Sequence, residues 1–387
     1  MAQEGEARPA QAERLAVPAP VREATPAEEE RIYVASQWQL IRWRFGRHKL
    51  AVVSLAILGL FYAAALFADF IAPYGAQSYD TGFIYAPPQW PRFLEGGRLQ
   101  RPFVYPLVEA PGSSALRPRY ELDRTRKLYI RLFARGERYS FFGLFESNRH
   151  LFGVDGGRIY LFGADGMGRD IFSRIVHGSR LSLSIGLVGI AISFVIGILV
   201  GGISGFFGGV VDLVIQRLIE FILSIPTLPL WMALSVALPP SWTVVQVYFG
   251  ITIILSLVGW TGLARVVRGK FMALREEDFV TAAKLAGSSE LRIILRHMLP
   301  SFYSHIIASL TLSVPGMILG ETSLSFLGLG LQPPAVSWGV LLRDAQRIRA
   351  LAYSPWLLLP GLFIIVAVLC FNFVGDGLRD AADPYSR

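Results

Sequence analysis

Six long apolar segments set the strongest limit on how this chain can fold. A helix needs about 20 predominantly apolar residues to cross the hydrocarbon core of a bilayer. Segments of about that length recur along the sequence, at about 50–72, 181–203, 215–238, 244–264, 302–324 and 355–375. Only 17% of the residues are charged and 53% are hydrophobic, as in membrane proteins. The sequence therefore predicts an all-α polytopic membrane protein with six transmembrane helices.

The net charge and the cysteine content narrow the class of protein further. Lys and Arg outnumber Asp and Glu by 37 to 29, which gives a formal net charge of +8. Binding to nucleic acid is one explanation, but a polytopic chain uses Lys and Arg as anchors beside its helices, and we favour the second explanation. The single cysteine, Cys370, lies in the last apolar segment and cannot form a disulfide within the chain.

The N-terminal residues 1–35 differ from the rest in composition. They are rich in Ala, Pro and Glu and poor in large apolar side chains. Such a segment buries too little apolar surface to offset the entropy of ordering, so we predict a disordered cytosolic tail. The first apolar segment starts near residue 50, too far along the chain and too long for a cleaved signal peptide.

The placement of basic residues predicts the orientation in the membrane. Four precede the first apolar segment: Arg42, Arg44, Arg47 and Lys49. Because basic residues mark the cytoplasmic side, six crossings put both termini and the loop 265–300 in the cytosol. That loop is basic as well, with Arg265, Arg268, Lys270, Arg275, Lys284, Arg292 and Arg296. The arginine-rich segment 73–180 then lies outside, as do Arg343, Arg347 and Arg349. This placement departs from the positive-inside rule, although long loops largely escape that rule.

The loop 265–300 contains a pattern typical of two short helices around a glycine. Residues 281–287 read Thr-Ala-Ala-Lys-Leu-Ala-Gly, and His297-Met298-Leu299-Pro300 follows after nine more residues. Ala favours helix and Gly287 is a natural helix stop. Ser288-Ser289-Glu290 can begin a second helix, since Ser is a preferred N-cap.

This loop resembles the E-A-A, three residues, Gly, nine residues, I-x-L-P motif of permease subunits in ATP-driven importers. Thr281 replaces the Glu of the motif and His297 replaces the Ile. In that family the loop is a coupling helix that docks on a cytosolic ATPase. The resemblance implies that the coupling residues are Asp278, Thr281, Ala282, Ala283, Lys284, Gly287, Ser288 and Glu290. The alternative is an ordinary cytosolic turn.

Other short motifs resemble the C-type permease subunits of dipeptide and oligopeptide ABC importers, over about 40–75 and 160–385. They are His48-Lys49-Leu50-Ala51, Gly163-Ala164-Asp165, Gly168-Arg169-Asp170, Ser173-Arg174, Gly205-Phe206-Phe207-Gly208-Gly209, Leu324-Ser325-Phe326-Leu327-Gly328, Ser337-Trp338-Gly339 and Gly375-Asp376. Ala164 stands where the family usually has Thr.

The resemblance implies the fold, the partners and the cargo. The fold is that of the type I ABC importer permease in a bacterial inner membrane. The chain would form half of a pathway with a homologous permease, two cytosolic ATPases that hold ATP and Mg, and a solute-binding protein, and would bind no cofactor itself. Peptides lead as cargo, with oligosaccharides, opines and nickel as alternatives.

Four parts of the chain follow from these patterns. After the tail come an amphipathic, basic segment with the first transmembrane helix (36–75), an extracytoplasmic insertion (76–162) and the permease core (163–387). In the insertion, apolar and polar residues alternate on both sides of Arg135-Gly136-Glu137, which predicts a β-hairpin of 127–134 with 138–142. The insertion either contacts the binding protein or caps the outer mouth of the pathway.

Three features inside the apolar segments have two interpretations each. Gly186, Gly189, Gly197 and Gly201 indicate a helix-packing face, or else a direct role in transport. Ser224, Pro226 and Pro229 indicate a hinge or pore lining, or else a structural kink. Glu321 lies either beside the pathway or in a conformational tie to an arginine or a backbone N–H in the segment 325–339.

Several classes of chemistry find no support in the sequence. Gly269-Lys270 lacks the remainder of a phosphate-binding loop, and the five histidines show no metal-ligand spacing. Asp165 and Asp170 are more typical of turns than of a cation site. An ion-coupled carrier normally has midspan carboxylates or inverted repeats, and a membrane enzyme needs a reactive constellation. Neither pattern is evident, and we predict a non-catalytic subunit.

Overall fold

The computed structural model describes residues 37–113, 118–141 and 143–382. The predicted disordered tail, 1–35, lies outside these residues. Thirteen α-helices occur in the described part: α1 Gln37–Arg47, α2 Lys49–Leu66, α3 Ala68–Ile71, α4 Ile171–Phe207, α5 Gly209–Ser224, α6 Thr227–Val236, α7 Val244–Leu274, α8 Asp278–Leu285, α9 Glu290–Arg292, α10 Tyr303–Phe326, α11 Trp338–Leu342, α12 Ile348–Tyr353 and α13 Leu359–Ala382.

Five helical segments in the described part are long and apolar enough to cross a membrane. A sixth is formed if α5 and α6, which meet at 84°, count as one broken span. The predicted six segments correspond to these elements. The main differences are at the end of α7, ten residues later than the apolar pattern indicated, and at the start of α4, which begins ten residues earlier. Its 37 residues extend about 55 Å at 1.5 Å per residue, well beyond the roughly 30 Å of a hydrocarbon core.

Small residues allow α4 to approach α7 closely. A Cβ at Gly201 would stand 2.4 Å from the carbonyl oxygen of Ala264, and one at Gly205 would stand 2.6 Å from that of Arg268. A backbone atom cannot move aside as the end of a flexible side chain can. Of the four predicted glycines, Gly197 and Gly201 pack on α7, Gly186 packs on α10 and Gly189 contacts both, so the predicted packing role is confirmed.

The main apolar core lies where α4, α7, α10 and α13 meet. Ile175, Leu255, Ile318 and Phe371 are buried there together with Trp338 of α11. The indole nitrogen of Trp338 donates to the carbonyl of Ile175 at 3.0 Å, so α11 is held against the start of α4.

Eight short strands occupy the described part of the insertion between α3 and α4. They are β1 Arg92–Glu95, β2 Arg98–Val104, β3 Leu107–Glu109, β4 Tyr120–Leu122, β5 Leu128–Leu132, β6 Arg135–Phe141, β7 Phe145–Arg149 and β8 Phe152–Val154. A four-stranded antiparallel sheet has the order β1-β2-β5-β8, and β3–β4 and β6–β7 form separate antiparallel pairs. The prediction of a small β-containing insertion is confirmed.

The predicted hairpin around Gly136 is wrong in its pairing. β5 pairs with β2 and β8, whereas β6 pairs with β7 across a turn that contains Gly143 at φ 73°. Gly136 lies inside β6, where a Cβ would stand 2.6 Å from Cδ2 of His150. The alternation correctly indicated strands, but this glycine permits a close approach and does not make the turn.

Candidate functional site

The segment between α7 and α10 is a helix, a glycine corner and a second short helix, as predicted. Gly287 adopts φ 73° after α8, a conformation that glycine reaches without steric cost. The N–H of Gly287 donates to the carbonyl of Lys284, and that of Ser288 donates to the carbonyl of Ala283. These bonds satisfy carbonyls that the helix end would leave free. A π-helical turn, Ile293–Met298, follows α9.

One apolar side chain holds α8 against the body of the protein. Val280 is fully buried in a cluster with Phe271, Ile293 and Met298. The ammonium group of Lys284 lies 5.4 Å from the ring centre of Phe206, at the end of α4. Val280 was not predicted from the sequence. Its spacing of three residues from Ala283, which is partly buried against the same cluster, was the available signal.

The opposite side of α8 is open. Leu285 is 85% exposed, and Leu291 beyond the glycine corner is 64% exposed. The predicted residues on this segment are exposed except Ala283 and Ser288, which are partly buried. The structure thus brings the predicted set together on one protruding hairpin, with an apolar residue, Leu285, that the prediction omitted.

An ion pair fixes the first turn of α5 to α7. The guanidinium group of Arg268 donates through Nε and Nη2 to the two carboxylate oxygens of Asp212, each at 2.5 Å. Ser204 of α4 donates to the same carboxylate at 2.5 Å. A lone Asp in an otherwise apolar stretch was the signal for this contact, which the sequence analysis did not predict.

The predicted hinge residues lie at the bend between α5 and α6. Ser224 ends α5, and its hydroxyl donates to the carbonyl of Phe221 at 2.7 Å. The chain is extended at Ile225, and Pro226 is the N-cap of α6. Pro229 lies in the first turn of α6, where proline is tolerated. The break is therefore at Ile225 and Pro226, and Pro229 does not break the span.

Glu321 is completely buried in α10. Its Oε1 accepts hydrogen bonds from the hydroxyls of Ser325 and Ser337, each at 2.7 Å. Ser325 also accepts from the N–H of Leu331, and Ser337 accepts from the N–H of Val340. The carboxylate therefore ties α10 to the segment that follows it. The expected arginine or backbone N–H partner is wrong, because two serine hydroxyls occupy that position.

At the other end of α4, two aspartates organise the chain before the helix. Asp165 pairs with Arg169 at 2.7 Å and with Arg174, and it also accepts from the N–H of Arg169. Asp170 is the N-cap of α4, with Oδ2 accepting from the N–H and the hydroxyl of Ser173. Burial raises the pKa of the Asp170 carboxyl to about 7. Both residues have the structural role that the sequence favoured.

Comparison with known proteins identifies the family. Residues 194–387, half of the chain, match the family model described as the inner membrane component of binding-protein-dependent transport systems. This chain belongs to that family. Residues 36–88 also match the N-terminal transmembrane domain of oligopeptide transport permease C.

Relatives from several bacteria are similar over much of their length. The oligopeptide transport system permease protein OppC of Haemophilus influenzae is 42% identical over 59% of this chain and 71% of its own. The dipeptide permease DppC of Lactococcus lactis is 33% identical over 88% of each chain. The di/tripeptide permease DppC of Pseudomonas aeruginosa is 31% identical over 93% of this chain and 96% of its own.

A solved structure, the MetNI methionine ABC transporter in an inward-facing form, covers 56% of this chain and 99% of its own. The TM-score is 0.45 at 18% identity, a likeness too weak to carry an argument. Family membership confirms the predicted fold class and the predicted role as a non-catalytic ABC importer permease in a bacterial membrane. It also decides against the ion-coupled carrier.

Proposed function

We propose that this permease imports peptides delivered by a solute-binding protein. The support for this cargo is that the three relatives named above are oligopeptide, dipeptide and di/tripeptide permeases. The chain would form half of the pathway with a homologous permease. Two cytosolic ATPases would hold ATP and Mg and supply the energy.

The observation that carries the coupling role is the two-sided packing of α8. Val280 secures the helix to the cluster under α4 and α7, while Leu285 stands almost free. An exposed apolar residue on a held helix is suited to insertion into a groove on a partner. We propose that this hairpin, within the loop 265–300, docks on an ATPase.

The free energy for switching the pathway between inward-facing and outward-facing states would come from the ATPases. A near-complete switch between two states needs a differential of about 5.5 kcal/mol. ATP binding would close the ATPases, move α8 and turn the pathway outward. Asp212 and Arg268 would transmit that movement from α7 to the first turn of α5.

The proposal also covers the orientation of the chain in the membrane, the bend between α5 and α6, and Glu321. Both termini would lie in the cytoplasm and the insertion, 76–162, outside in front of the core, 163–387. The bend at Ser224 and Pro226, with Pro229 beside it, would act as the hinge. Glu321 would act as a conformational tie and not as a substrate contact, because both bonded hydroxyls belong to this chain.

The decisive experiment is ATP hydrolysis and peptide uptake in liposomes that contain this chain and its co-expressed partners. Peptide-stimulated hydrolysis that disappears when this chain is omitted would support the proposal. Hydrolysis that requires this chain but ignores peptides would refute the peptide cargo and direct the search to oligosaccharides, opines or nickel.

Gly287 tests the coupling role separately. Gly287→Trp should uncouple hydrolysis from uptake without preventing membrane insertion, because a large side chain would stand on the docking surface. Gly287→Asn is the matched control, since Asn tolerates the positive φ at this corner and adds little bulk. Normal transport by the Trp variant would contradict the docking role.

A further inference from the structure

The β6–β7 hairpin carries large apolar side chains at its exposed tip. Leu144 is 80% exposed and Phe145 is 57% exposed. Phe141 and Phe145 are paired across the hairpin and stack at 5.3 Å. With Phe67 these residues form a patch, here called the tip patch.

The tip patch lies at the end of the first transmembrane helix. The ring of Phe141 stacks on that of Phe67 at 5.8 Å, and Phe133 lies 6.1 Å from Phe70. Phe67 follows directly on Leu66, the last residue of α2. The tip is therefore at the level where the apolar span ends.

Sequence spacing places the patch on the outward side of α2. Val53, Leu60 and Phe67 are spaced by seven residues, which returns to nearly the same helix face. They are 56%, 67% and 44% exposed. In a membrane-spanning helix such a stripe faces hydrocarbon, and Phe141 extends it from another part of the chain.

The hairpin is held in this position at its base. The N–H of Leu151 donates to the carbonyl of Phe70 at 2.6 Å. The buried ring of His150 lies between the carbonyls of Ala72 and Glu137, with nitrogen–oxygen distances of 2.5 and 3.0 Å. The strands are thus bonded to the residues that leave the membrane.

The charges around the tip fit a phospholipid surface. Arg138 is exposed on β6, three residues before Phe141, and Arg135 and Arg149 are exposed and paired with each other at the base of the hairpin. Of the two glutamates on these strands, Glu137 is engaged by Ser78 and by the N–H of Gly75. Glu146 is exposed beside Phe145, so the basic residues outnumber the free acidic one by three to one. Aromatic rings with basic neighbours are typical of the boundary between headgroups and acyl chains.

We propose that the tip patch inserts into the phospholipid interface beside α2 and anchors the insertion to the membrane surface. The occupant is lipid because the patch continues the lipid-facing stripe of a transmembrane helix. The phosphate groups of the headgroups would pair with the arginines. This role does not depend on which side of the membrane the insertion faces.

A nitroxide spin label tests the proposal in the full-length chain, co-purified with its partner subunits. The only cysteine is replaced by Cys370→Ser, and Leu144→Cys is labelled after reconstitution in liposomes of phosphatidylethanolamine and phosphatidylglycerol. Leu99→Cys is the matched control, because Leu99 is 81% exposed but lies on β2, in a different sheet. Collisions with oxygen report lipid, and collisions with a water-soluble nickel chelate report water.

We expect the oxygen-to-nickel collision ratio at residue 144 to exceed that at residue 99 severalfold. Equal ratios at the two positions would overturn the proposal, since the tip would then lie in water. A label at residue 144 that is immobilised and shielded from both reagents would also overturn it, because a protein partner would then cover the patch.

Discussion

Val280 and Leu285 lie five residues apart on α8 and should respond to truncation in opposite ways. Val280→Ala removes two methyl groups from a fully buried position. At about 0.8 kcal/mol per buried methylene plus a cavity term, the loss of stability should be roughly 1.5–3 kcal/mol. Leu285 is 85% exposed, so Leu285→Ala should change stability by no more than about 0.5 kcal/mol.

The effect on coupling should be reversed. A leucine that becomes buried on docking contributes roughly 1.5–3 kcal/mol, which corresponds to a ten- to hundredfold weaker association with the ATPase when it is truncated. Thermal unfolding of the detergent-solubilised chain measures the first quantity, and titration of the ATPase in nanodiscs measures the second. If Leu285→Ala binds the ATPase as the wild type does, the exposed side of α8 is not the docking surface.

Three further predictions concern the helix contacts and the buried carboxylates. Gly201→Ala should lower the melting temperature, because overpacking against backbone costs about 1–3 kcal/mol. Gly262→Ala should not, because nothing lies within 4 Å of the added Cβ. Equal shifts in melting temperature would show that the close contact at Gly201 does not limit the side chain. The raised pKa of Asp170, about 7, means that the folded state holds this proton more tightly than the unfolded state does. Between pH 6 and pH 8 the free energy of unfolding should therefore fall by about 1.4 kcal/mol. Asp170→Asn, which keeps an N-cap, should flatten that dependence in melting curves measured across this pH range. Glu321→Gln should retain the melting temperature and uptake. Glu321→Ala should lower the free energy of unfolding by about 1–3 kcal/mol, because two hydroxyls lose their acceptor. If the Gln variant loses uptake at an unchanged melting temperature, Glu321 lies in the pathway instead.

The sequence predicted most of the helical architecture because hydrocarbon imposes a length and a composition on each span. It also predicted the glycine corner at Gly287, since few residues adopt that conformation after a helix. The start of α4 was missed because its first turns carry Arg174 and His177, which interrupt the apolar pattern. A helix longer than the hydrocarbon core need not be apolar at its ends, so an apolar segment does not define where it begins.

Contacts between residues far apart in the sequence were harder to predict. The β5 and β6 strands follow each other in sequence, yet each pairs elsewhere, because side-chain alternation specifies a strand and not its neighbour. Likewise a tie was one of the two interpretations of Glu321, but its two serine partners depend on how the segment before α11 folds back. In both cases the missing information was tertiary contact.

The backbone contact between α4 and α7 has a consequence for evolution of the transporter. The two helices touch through Gly201 and Gly205, and Asp212 of α5 accepts from both Ser204 of α4 and Arg268 of α7. They cannot slide past each other without losing these contacts. Changes in transport rate that leave the fold intact should therefore accumulate at the bend near Pro226 and at the corner near Gly287. The paired helices between them should move as one rigid unit. Substitutions in them should destabilise the fold and should not by themselves tune the transport rate.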